Sequence, residues 1–118
     1  MRVSVIAISV AFATLVMISC GTNRGDFRLV NKANELIARV LVTVCGQTIE
    51  LKDIQPAQSV PGSYTVKSDS HFDIRVEFQS GKKLQKEMGY VTNGMDFHHE
   101  FVVTDTDIEI IDSKAKVQ

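Results

Sequence analysis

Between His71 and Gln79 the chain alternates without a break: Phe72, Ile74, Val76 and Phe78 are apolar, and Asp73, Arg75, Glu77 and Gln79 are polar. Successive side chains of a β-strand point to opposite faces, so a period of two describes a strand with one buried and one wet face. A strand of this kind is not stable alone; it needs neighbours that extend its apolar face. Turn signals recur every eight to twelve residues from Phe27 onward, and no internal repeat or second domain boundary interrupts them. That spacing is the mark of an all-β domain.

Turn chemistry sets the expected pairing. Thr92-Asn93-Gly94-Met95 reads as a type I′ hairpin, because Asn and Gly both tolerate positive φ. It would set Tyr90 opposite Phe97, Met88 opposite His99, Lys86 opposite Phe101 and Leu84 opposite Val103, with Gly89–His98 and Glu87–Glu100 on the other face. A three-residue loop at Ser80-Gly81-Lys82 then puts Phe78 against Leu84, Ile74 against Met88 and Phe72 against Tyr90, which makes a three-stranded meander from Phe72 to Val103. Upstream, Ile37 to Val44 turns through Cys45-Gly46 or Gly46-Gln47 into Thr48 to Leu51, with Val40, Val42 and Val44 on the face of Ile49 and Leu51. Leu36, Ile37, Val40, Leu41 and Val44 also fit helical spacing behind a capping Asn34, but the β-branched run favours strand. Phe27–Asn31, Ser63–Lys67 and Asp107–Ile111 complete the set. The expectation is an antiparallel, immunoglobulin-like β-sandwich of about seven or eight strands over residues 27–112, with a C-terminal tail at 113–118.

The first residues carry a different kind of message. Val3 to Ser19 is free of charge, follows Arg2, and is short for a bilayer span but suitable for the apolar core of an export signal. It closes on Met17-Ile18-Ser19-Cys20-Gly21, where the apolar run gives way to polar Gly-Thr-Asn-Arg-Gly. This segment resembles the lipobox of bacterial prolipoproteins, with Met17 standing where Leu is usual. The resemblance implies that residues 1–19 are a signal peptide removed on maturation and that Cys20 carries acyl chains. Residues 20–26 would then be the lipidated Cys and a polar tether. It further implies a place in the bacterial envelope, and Gly21 rather than Asp after the Cys points to the outer membrane, facing the periplasm. Cys45 would then have no partner within the chain.

Composition narrows the function classes. Thirteen Lys plus Arg balance fourteen Asp plus Glu, so no basic surplus invites nucleic acid. Ser63, Ser68, Ser70, His71 and Cys45 are nucleophile or base types, but no catalytic signature surrounds them. Asp105, Asp107, Glu109 and Asp112 lack the residue order of a calcium loop. No Trp is present, and Tyr64, in Pro61-Gly62-Ser63-Tyr64, is the one loop aromatic available for stacking on a ligand. Met88 and His99 would offer a thioether and an imidazole to Cu(I), with His71 or Met95 as possible additions, whereas His98 and His99 face opposite ways and cannot chelate together. The leading expectation is a non-enzymatic lipoprotein, without cofactor, that presents its sandwich to a protein partner in the envelope. The alternative is a periplasmic copper-type metal-binding protein using Met88 and His99.

Overall fold

The computed structural model describes residues 23–117. Eight strands follow one another: β1 Asn23–Asn31, β2 Ile37–Val44, β3 Gln47–Ile54, β4 Ser59–Val66, β5 Ser70–Phe78, β6 Lys83–Val91, β7 Met95–Val103 and β8 Ile108–Val117. They form two four-stranded sheets, ordered β4-β1-β7-β8 and β3-β2-β5-β6, and the fold is an all-β sandwich as the alternation implies. Every pairing is antiparallel except that of β1 with β7. The strands reach beyond the expected domain limits. β1 takes in Asn23 to Asp26, read above as tether, and β8 runs through Ser113 to Val117, read above as tail.

The upstream hairpin has the first of its two expected registers, with Val44 opposite Gln47, Val42 opposite Ile49 and Val40 opposite Leu51. Cys45 and Gly46 both have positive φ, 52° and 72°, as a two-residue turn that follows the sheet twist demands. The β5–β6 loop has three residues but sits one position earlier than expected. Val76 faces Leu84 and Phe72 faces Met88, so the faces are right and the register is slipped by one pair.

The β6–β7 hairpin does not form, and the three-stranded meander is corrected accordingly. β6 and β7 belong to opposite sheets, so the Asn93-Gly94 turn is an arch between layers. Only Gly94 has positive φ (92°) there, whereas a type I′ turn needs it at both positions. The Asn93 N–H instead donates to Asp69 Oδ1 at 2.8 Å, which ties the arch to the β4–β5 connection. Tyr90 is also corrected. Gly89 has φ +70°, and the register shifts by one between Phe72 and Ser70, the signature of a bulge in β6. The extra residue turns Tyr90 out, 57% exposed, and sends Val91 into the core at 0%.

Four phenylalanines, Phe27, Phe72, Phe78 and Phe101, are among the largest fully buried side chains. Phe72 is the hub, with ring centroids 5.0 Å from Phe101, 5.6 Å from Tyr64 and 6.4 Å from Phe27, all edge-to-face. Two glycines make room for rings in the β1–β4 pair. Gly25 lies opposite Tyr64 and Gly62 opposite Phe27, and a Cβ on either would fall within 2.2 Å of the facing ring.

The sandwich has two ends. At the near end lie the start of β1, the Cys45-Gly46 turn, the 67–69 and 92–94 connections and the close of β8. The far end is stitched by side chains. Asn31, fully buried, donates to the carbonyls of Glu35 and Ile54 and accepts from the Ala33 N–H, while Asn34 meets Asp105 and Glu35 meets Ser80.

Three of the four edge strands, β4, β6 and β8, are protected. On β4, the Gln47 side chain donates to the Thr65 carbonyl at 2.7 Å and accepts from the Thr65 N–H at 3.0 Å, standing in for a neighbouring strand, and Pro61 removes another donor. On β6, Lys86 projects toward the core edge to meet Asp107 at 3.1 Å, and Gly89 bulges. On β8, Ile111 is the extra residue where the register with β7 shifts.

Candidate functional site

The outer face of the β4-β1-β7-β8 sheet carries its charges in rows fixed by register. Ser63, Asp26, His98 and Lys114 form one row across the four strands, and Pro61, Arg28, Glu100 and Asp112 form the next. Phe27, Leu29, His99 and Phe101 alternate with these positions and fill the core, so the period-two pattern of β1 and β7 itself puts Asp26, Arg28, His98 and Glu100 outside.

His98 is the centre of this face. Its Nδ1 meets Asp26 Oδ1 in a very short contact, and its Nε2 meets Glu100 Oε2 at 3.2 Å. An imidazolium donates from both nitrogens, so two flanking carboxylates favour the charged ring. The hydrogen bonds to Asp26 and then Glu100 hold its pKa above the ordinary 6.5, against a small opposing effect of burial. A ring engaged on both sides has no lone pair left to take a proton from a hydroxyl. The Asp26–His98–Glu100 cluster therefore acts as a clasp, with Asp26 on β1 joined to His98 on β7. Shallow hollows flank it: one between Arg28, Pro61, Ser63 and His98, the other between Arg24, Asp96, His98 and Lys116.

The residues singled out from sequence lie elsewhere. Met88 and His99 are not opposite each other: Met88 is half-buried on β6, paired with Phe72, and His99 is fully buried on β7 in the other sheet. Each neighbours Phe72, whose ring centroid lies 4.7 Å from that of His99. His99 is stacked between Phe97 and Phe101, at 5.8 Å from each. Burial, and then the charge of His98, lower its pKa, and neither ring nitrogen has a hydrogen-bond partner among the described residues. Depth decides against offering this imidazole to a metal from solvent. Among the described residues, no three His, Cys, Asp or Glu side chains gather as a metal site.

Tyr64 is buried and packs in the core, not in a ligand loop; its hydroxyl has no hydrogen-bond partner among the described residues, and burial, with Cys45 and Asp26 nearby, raises its pKa. Cys45 is a buried free thiol whose Sγ lies 3.4 Å from the Ser68 carbonyl. Asp105 and Asp107 are engaged by Asn34 and Lys86 respectively. Cys20 lies outside the described residues. The Asp26–His98–Glu100 cluster escaped sequence reasoning. Alternation along β7 marks His98 and Glu100 as wet, but their partner comes from a parallel strand 72 residues away.

No family model matches this sequence, and no curated protein does. Among solved structures, the NMR structure of a protein from Eubacterium rectale is similar, with a TM-score of 0.57 and 18% identity over 80% of this chain and 93% of that one. The likeness is one of fold.

Proposed function

We propose that this chain is a non-enzymatic lipoprotein of the bacterial envelope, anchored through Cys20 in the outer membrane and making protein contacts with its immunoglobulin-like sandwich. The observation that carries the contact surface is the clasped face of β4-β1-β7-β8. A fixed arrangement of charge around His98, flanked by hollows, offers a partner both complementarity and relief. The protection of β4 and β6 leaves less room for a partner to add a strand at those edges, which favours this face over β-augmentation there.

The reading is tested in living bacteria with a photo-crosslinking residue placed at Ser63, on this face, or at Gln85, on the opposite sheet. A discrete adduct from Ser63 and none from Gln85 is expected; no adduct from either position ends the reading. The mass of the N-terminal peptide tests the anchor separately, and any N-terminus other than acylated Cys20 refutes it.

A further inference from the structure

The start of β1 at Asn23 leaves only Gly21 and Thr22 between Cys20 and the folded sandwich. Three residue steps span at most ~11 Å fully extended. An acylated Cys sits where the hydrocarbon begins, and the headgroup layer of one leaflet takes up ~5–7 Å of that reach. The remainder is too short to hold the domain clear of the bilayer.

We propose that the near end of the sandwich rests on the lipid headgroups, with the strands rising from the membrane and the far end presented to the periplasm. This rests on the reading that Cys20 is acylated. The surface it assigns to the membrane comprises the Gly46 turn, the 67–69 and 92–94 connections and the last residues of β8.

The charge of that end suits an anionic headgroup layer. Arg24, Lys67 and Lys116 are exposed there. The acidic residues beside them are hydrogen-bonded within the protein: Asp69 accepts from the Asn93 N–H, and Asp96 accepts from the Arg24 N–H at 2.9 Å and from the Asn23 side chain at 3.0 Å. The far end, bound up by its own side chains, lies ~30 Å away along nine-residue strands.

The test uses the full chain, acylated in a bacterium and reconstituted into vesicles of phosphatidylcholine and phosphatidylglycerol that carry a headgroup-attached nitroxide. A fluorophore is attached to Asn93→Cys at the near end or to Thr106→Cys at the far end; both positions are exposed, and the native thiol Cys45 is buried. Quenching several-fold stronger at position 93 than at 106 is expected. A flexible Gly/Ser linker of about 20 residues inserted after Thr22, with ends ~25 Å apart on average, should abolish the difference. Equal quenching at the two positions in the acylated, vesicle-bound parent overturns the orientation and leaves the anchor standing. Absence of acyl mass on Cys20 overturns both.

Discussion

Two neighbouring histidines respond to acid in opposite directions. His98 has its pKa raised by Asp26 and Glu100, so its stabilising contribution is complete below about pH 6.5 and is lost as the pH rises through the raised value. His99 has its pKa lowered by burial, so its contribution is present above pH 6.5 and is lost as the pH falls, because the unfolded chain takes up the proton first. His98→Gln should cost about 0.5 kcal/mol for each exposed pair at pH 5.5 and nothing once the parent ring is neutral. His99→Leu removes, at similar volume, two buried nitrogens that have no hydrogen-bond partner among the described residues. It should gain about 1 kcal/mol, and more as the pH falls. Urea midpoints measured from pH 5 to pH 9 check both; a His98→Gln deficit that persists unchanged at the alkaline end contradicts the assignment.

Strand pairs show where a sequence speaks and where it is silent. Gly25 and Gly62 look from sequence like tether and turn, yet each is the slot beneath an aromatic ring. Gly62→Ala puts a methyl 2.2 Å from the Phe27 ring and should destabilise by about 2 kcal/mol, whereas Gly46→Asn, in open space at a left-handed position, should be nearly neutral. Thermal denaturation of the two variants separates these readings. Legibility follows the same division. The shared face of Val40, Val42, Ile49 and Leu51 was readable, and the register narrowed to two, because alternation and a two-residue turn act locally. The partner of β7 was not, because β1 lies far away in the chain and nothing near Asn93-Gly94 records that Gly89 has already turned the preceding strand. Of the candidate site, the wet side of β7 was legible and the carboxylate from β1 was not. The alternation that put Tyr90 inward failed for want of one bulge residue.

Across the molecule, three connections are hairpins within a sheet and four cross between sheets. Most of what holds the sandwich together therefore joins residues distant in sequence, and refolding of the sandwich should take milliseconds to seconds, not microseconds. Stopped-flow fluorescence with Tyr64 as reporter measures this; a microsecond phase carrying the full amplitude would contradict it. The parallel β1–β7 pairing has a further consequence in time. The strand made first is central to its sheet, and one of its two neighbours is the next to last to be made. Until β7 has left the ribosome that sheet has no middle, so the sandwich cannot close before its last strands are made, although the β3-β2-β5-β6 sheet already has all its strands.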